Sequence, residues 1–265
     1  MLLDVAYEAA RAAGEVLLSM AERGVSVRHK GEVDLVTDAD AAAEKTIIEI
    51  LQRRTPDFAI LAEESGDVAT GSAGRWIVDP LDGTTNFAHG FPWYGVSIAA
   101  EVKGEIVVGV INHPSQNELF GAEKGLGATC NGRPIHVSTT SQLDQAFLAT
   151  GFPYDRKRSR HNNYDNFIRF QQAAQACRRA GAASLDLACL AAGRFDGYWE
   201  LKLKPWDVAA GILLVQEAGG RVSDYAGQKF HLEDVEILAS NGPLHEAMSS
   251  LLLEGVRPQA TRATA

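Results

Sequence analysis

The chain has 265 residues, 46% of them hydrophobic, with 25 Lys+Arg against 34 Asp+Glu and a formal net charge of −9. That size and apolar content support a sizeable core and exclude disorder over most of the length. The acidity speaks against nucleic acid or an anionic membrane as the main partner, so an anionic substrate would need help from a cation.

Three cysteines, Cys130, Cys177 and Cys189, are widely separated and in no C-x-x-C spacing, which indicates neither a disulfide framework nor a zinc site and suits a reducing cytoplasm. The N-terminus carries Asp4 and Glu8 without a basic flank, and no apolar run approaches membrane-spanning length, so the expected protein is soluble and unprocessed.

Apolar positions at three- and four-residue steps predict an amphipathic helix from Leu2 to Ala21, ended by Gly24. Ser26 to Thr37 reads as a short strand and turn leading to Thr37 or Asp38 as the cap of a second helix, which runs to about Arg54 with Asp40 in its first turn. An acid there is stabilised by the positive helix end, and by itself is usually no more than that. Phe58 to Ala62 is a strand ending in Glu63-Glu64-Ser65-Gly66, and Asp67 to Gly74 reads as a surface connection without chemistry. Adjacent glutamates before Ser-Gly are most often a solvated loop edge.

Trp76 to Asn86 concentrates oxygen donors. Trp76, Ile77 and Val78 favour a buried strand, and Pro80 keeps Asp79 extended at its end. Asp79 and Asp82, three residues apart across a tight turn, could aim with the Leu81 carbonyl at one hard cation. Gly83 allows close backbone approach, Thr84 adds a hydroxyl, and N–H groups from Gly83 onward would form an anion site if a helix starts there. D-P-x-D-G alone is ordinary turn chemistry; a strand delivering two acids, a glycine and two threonines exceeds what a turn requires.

Downstream, Tyr94–Val102 and Glu105–Ile111 form a hairpin through Lys103-Gly104, continued as an antiparallel meander by Leu119–Lys124 and Ala128–Val137. Gly125-Leu126-Gly127 between strands is a hairpin turn, not a nucleotide fingerprint. Phe147–Gly151 adds a strand. Arg156, Lys157, Arg158 and Arg160 mark a charged, solvated loop, with a role in guiding anionic substrates left open. Helices are expected over Asn162–Ala176 and Ala182–Ala192, then a strand over Phe195–Glu200. Pro205 opens a helix through Glu217, with Asp207 in its first turn and Gly219-Gly220 beyond its end. Strands near Arg221–Asp224 and Glu236–Ser240 and a helix from Pro243 to Leu253 close the chain, with a frayed tail after about 256.

The string W-I-V-D-P-L-D-G-T-T-N-F (76–87) resembles the first signature of the inositol monophosphatase family, and W-D-x-A-A-G-x-x-L-V-x-E-A-G-G (206–220) its second. V-D-L-V-T-x-x-D and A-E-E-S match further motifs, so that the resemblance spans residues 1 to 254. It implies an α+β fold, the layered α-β-α-β-α sandwich of the sugar-phosphatase type, in a single domain over 1–265. It implies two or three Mg²⁺ ions held by Glu63, Asp79, Asp82, Asp207 and the Leu81 carbonyl. Glu63, Thr84 and Asp40 would position and deprotonate water, while Gly83, Thr84, Ala183, Glu200 and Asp207 would contact substrate.

Lys30 resembles the lysine before V-D-L-V-T at a spacing one residue short. A homodimer, inhibition by Li⁺ and a small phosphate monoester as partner are implied too, with inositol monophosphate the first choice. A second anion such as that of fructose bisphosphate lacks a matched basic contact, although Lys202 and Lys204 could reach inward. The same motifs would serve a fructose-1,6-bisphosphatase, a histidinol-phosphatase or a nucleotide phosphatase. A non-catalytic regulatory partner would be favoured by loss of a metal acid, and none is lost.

Overall fold

A computed structural model of the chain describes residues 1–23, 27–29, 35–69 and 71–254. Lys30, most of the predicted turn around it and the tail after 254 lie outside the described residues. In chain order the elements begin with α1 (Leu2–Arg23), β1 (Val27–His29), β2 (Leu35–Thr37), α2 (Asp38–Arg54), β3 (Phe58–Ala62), β4 (Gly66–Ala69), β5 (Gly74–Asp82) and α3 (Thr84–Ala88). β6 (Gly95–Val102), β7 (Glu105–His113), β8 (Glu118–Glu123), β9 (Ala128–Cys130), β10 (Arg133–Ile135) and β11 (Phe147–Thr150) follow. The remainder is α4 (Tyr164–Ala173), β12 (Ala176–Arg178), α5 (Ala183–Ala191), β13 (Gly197–Leu201), α6 (Pro205–Glu217), β14 (Arg221–Ser223), β15 (Glu236–Ser240) and α7 (His245–Glu254).

Five layers result. An eight-stranded sheet, ordered β10-β9-β8-β7-β6-β5-β3-β4, carries α1 and α2 on one face. Its other face packs on α5 and α6, which also lie against a five-stranded sheet ordered β12-β11-β13-β15-β14, and α4 and α7 contact that second sheet and each other. The α-β-α-β-α sandwich is therefore present. Each helix layer has its own core: Ala9, Ala13, Ile47 and Leu51 meet Trp76, Val78 and Ile98. Leu187, Ala188 and Leu214 fill the middle between the sheets. α5 and most of α6 read as nearly continuous apolar runs because they are covered on both sides.

Four local expectations need correction. Asp79 to Asp82 is not a turn: β5 runs through it, with Asp79 opposite Ser97 and Asp82 opposite Gly95, so three steps face two and a β-bulge forms at Pro80-Leu81. Part of 67–74 is a strand, since after the turn at 63–65 β4 pairs back on β3. Ala128–Val137 is not one strand; Asn131 and Gly132, at φ 50 and 74, fold it into the β9–β10 hairpin. The helix expected to reach Ala176 stops at Ala173, and Ala176 starts β12, which pairs parallel with β11. Two further parallel pairs, β11 with β13 and β3 with β5, make both large sheets mixed. Among the described residues no helix is long and apolar enough to cross a membrane.

Candidate active site

The site is built where β5 ends. Asp79 is buried, its Oδ1 accepting the Leu81 N–H at 3.0 Å across the bulge. Asp82 accepts from both the N–H (2.7 Å) and the hydroxyl (2.6 Å) of Ser184 at the start of α5, on the same Oδ2. Gly83 then takes a left-handed backbone, φ 92, and caps α3. A Cβ there would lie 2.9 Å from the Trp93 carbonyl, so conformation and space both require glycine.

α2 delivers the next group. Thr37 caps it and forms a capping box with Asp40: Asp40 Oδ2 accepts the Thr37 N–H and hydroxyl, both at 2.7 Å. Its Oδ1 accepts the Thr84 hydroxyl at 3.0 Å, and the Leu81 carbonyl stands at the same distance from that hydroxyl. One proton cannot serve both acceptors fully, so Thr84 Oγ1 is poised between a carboxylate and a peptide oxygen. From the opposite side α6 supplies Asp207 at its third position, where Oδ2 accepts the Lys204 N–H at 2.6 Å.

The electrostatics tie these acids together. Burial, followed by the charges of Glu63, Asp82 and Asp207, pushes the Asp79 carboxyl well above the ordinary range. Asp207 is raised likewise by burial and by Asp82, and Asp82 is raised by burial to about 6 despite its Ser184 hydrogen bonds. Asp40 is raised by burial against the opposing pull of its Thr37 and Thr84 hydrogen bonds. Glu63, Asp79, Asp82 and Asp207 thus share one neighbourhood. Among the described residues no three His, Cys, Asp or Glu side chains stand close enough together to hold a metal ion between them. No salt bridge to Asp79, Asp82 or Asp207 occurs among the described residues. The donor set, carboxylates and a peptide carbonyl, is all oxygen and fits a hard divalent cation.

Glu200 stands at the other end of the site, buried on β13, accepting the Tyr198 hydroxyl at 2.5 Å and raised by burial to about 7. Ala183 opens α5, next to Ser184, and its N–H is one of the donors that favour ionised Asp82. Lys202 does not reach inward: its Nζ donates to Asp155 at 2.7 Å and to Ser159 at 3.0 Å.

Sequence reasoning passed over three supports. Ser184 holds Asp82. Glu44, buried one turn after Asp40 on α2, accepts the Glu64 N–H at 2.9 Å and the Ser65 hydroxyl, fixing the turn that carries Glu63. Asn86 Nδ2 donates to the carbonyls of Trp93 (2.7 Å) and Ala180 (2.9 Å), stapling α3 to the approach to α5. Glu44 was within reach, since it lies four residues from Asp40 on one helix face.

A pH effect follows. For these acids the native pKa lies above the unfolded one, the reverse of the usual carboxylate case, so the native state binds more protons and stability falls as pH rises through the window. His245, held at about 4 by burial, and His113, also lowered, act oppositely but only below about 6.5, the ordinary histidine value. Between pH 6.5 and 8 the histidines add nothing further and Asp82, at about 6, has largely lost its proton, while Glu200, at about 7, titrates within the interval. In chelator the melting temperature should drop by about 2 °C or more across that interval, and Mg²⁺ should flatten the slope. A melting temperature in chelator that is level or rising from pH 6.5 to 8 would refute this electrostatic picture.

Layered fold and acid-lined strand end together define a phosphoric monoester hydrolase. The profile of the inositol monophosphatase family matches residues 1–258, and the chain belongs to that family. It is similar to an inositol-1-monophosphatase from Synechocystis, 48% identical over 94% of this chain and 88% of the relative. It is also similar to Nus factor SuhB of Pseudomonas aeruginosa, 44% identical over 98% and 99%. The solved inositol monophosphatase of Anabaena superposes with a TM-score of 0.89 at 44% identity, covering 99% of this chain and 98% of the other.

Proposed function

We propose that this protein hydrolyses a polyol phosphate monoester, with inositol monophosphate as first choice, using Mg²⁺ ions held by Glu63, Asp79, Asp82, Asp207 and the Leu81 carbonyl. The observation that carries the reading is the joint placement of these acids beside the Thr84–Asp40 hydrogen bond at one strand end. Two or three bound ions would supply an acidified water and neutralise the phosphate oxygens.

The chain's own groups do the rest. Thr84 Oγ1 accepts a proton from the attacking water as its own proton moves to Asp40 Oδ1, whose burial makes it the better acceptor. Glu63 helps to orient that water. Gly83 and Thr84 receive the phosphate through backbone N–H groups, and Ala183, Glu200 and Asp207 receive the polyol. We further read the whole chain as one domain, working as a homodimer in a reducing cytoplasm; the three cysteines are free thiols.

The name of the Pseudomonas relative favours one further reading, a role as a factor acting on a partner protein. Such a role can coexist with turnover, because every acid of the site is present. A phosphate-release panel with inositol monophosphate, fructose bisphosphate, histidinol phosphate, a nucleotide monophosphate and an aryl phosphate at fixed Mg²⁺ separates the cases. Inositol monophosphate should lead. Preference for fructose bisphosphate would overturn the substrate choice, and no turnover of any monoester would leave only the partner role.

In the same panel Glu200→Gln should weaken polyol recognition by roughly 1–3 kcal/mol, since a buried carboxylate accepting from hydroxyls gives way to a poorer acceptor. An aryl phosphate has no such hydroxyls and should be nearly unaffected. Equal losses on both would make Glu200 a support of the metal site.

A further inference from the structure

A run of cations follows β11, whose end meets Glu200. The loop after β11 carries Arg156, Lys157, Arg158 and Arg160 against one acid, Asp155, and Lys157, Arg158 and Arg160 are exposed. This loop is fixed in place. The Asp155 carbonyl accepts the N–H groups of Arg158 (2.8 Å) and Ser159 (2.9 Å), and Asn162 Nδ2 donates to the Ser159 carbonyl at 2.9 Å. Lys202 Nζ then ties the loop down through Asp155 Oδ2 and Ser159 Oγ.

The entry to the loop lies on the polyol side of the site. The chain enters the loop through Gly151, where an added Cβ would stand 2.1 Å from Glu200 Oε1, so this backbone lies directly against that carboxylate. Lys202, the tether, is two residues beyond Glu200, and Lys204 follows with its N–H on Asp207. Lys202 also neutralises Asp155, so that Lys157 and Arg160 stand as exposed positive charge on a chain of net charge −9. A merely solvated loop would account for the exposure of these side chains. It would not require a lysine with a left-handed backbone, φ 63, to pin the loop beside the substrate carboxylate.

Resting on the phosphate-monoester reading above, we propose that residues 155–160 form a cationic capture rim that draws the substrate's phosphate dianion past the acidic site walls. Several buried carboxylates repel an incoming dianion, and opposite charge concentrated at the mouth raises its local concentration. The rim acts on association and leaves the chemical step to the acids and Thr84.

The test is the double variant Lys157→Gln/Arg160→Gln, both positions exposed, in the Mg²⁺-loaded protein. At low ionic strength KM for inositol monophosphate should rise about 5- to 10-fold with kcat within about twofold, and the difference should shrink at about 0.5 M salt. Calorimetric affinity for inorganic phosphate should fall by a similar factor. Unchanged KM and phosphate affinity would overturn the rim. Should the wild type turn over no monoester, the hydrolytic reading fails by itself, while the phosphate titration still upholds or overturns the rim. Loss of binding to a single-stranded RNA oligomer, with KM and phosphate affinity intact, would overturn substrate capture and make the loop a nucleic-acid surface.

Discussion

Asp82→Asn is expected to lower kcat/KM by about 10³-fold or more and, in the same protein, to raise the melting temperature measured in chelator. The first effect follows from losing a carboxylate proposed to hold the cation: about 4 kcal/mol of lost transition-state stabilisation corresponds to three powers of ten. The second follows from burial. Asp82 raises its neighbours Asp207 and Asp79 and is itself raised to about 6, so its charge is a cost whenever no cation offsets it. An amide oxygen in place of Oδ2 can still accept from the Ser184 N–H and hydroxyl, which keeps the Ser184 contact between β5 and α5 while the weaker Ala183 and Gly83 donors lose a carboxylate. Removing one of several like charges should gain about 1–2 kcal/mol, or about 3–6 °C. Activity near wild type would remove Asp82 from the metal set. A lower melting temperature in chelator would show that its charge is compensated in the fold.

Thr84→Ala should cut kcat by about 10²-fold or more with a much smaller change in KM, the loss typical of a misplaced proton-transfer group. Thr84→Ser, which keeps the hydroxyl within reach of Asp40, should restore most of it. Asp40 is a poorer probe, because it also accepts both Thr37 donors and its replacement would loosen the start of α2. A loss confined to KM would make Thr84 a phosphate-binding residue. Equal losses in the alanine and serine variants would point to its methyl group's packing.

Much of the site was legible because its parts are local. Thr37 as cap with Asp40 three residues on, Gly83 before a helix and Asp207 after Pro205 are all set by rules that act within one turn of chain. The five-layer order was legible only through resemblance to the family, since periodicity gives elements and not their stacking. What stayed hidden depends on distant partners. The bulge at Pro80-Leu81 exists because β6 offers two steps against three, and Ser184 reaches Asp82 from 102 residues away. The parallel pairing of β11 with β12 and β13 is likewise a tertiary outcome. Asn131-Gly132 is different: it is a strong local hairpin signal, and reading through it merged β9 and β10 into one strand.

The acids at the end of β5 are proposed to hold the cation on which hydrolysis depends. Titrating Mg²⁺ into chelator-stripped protein while following phosphate release from inositol monophosphate tests it most directly. Release should be absent without the ion, rise saturably as it is added, and remain near zero at every Mg²⁺ concentration in Asp82→Asn. Undiminished release in chelator, or an unaltered titration in the variant, would contradict it.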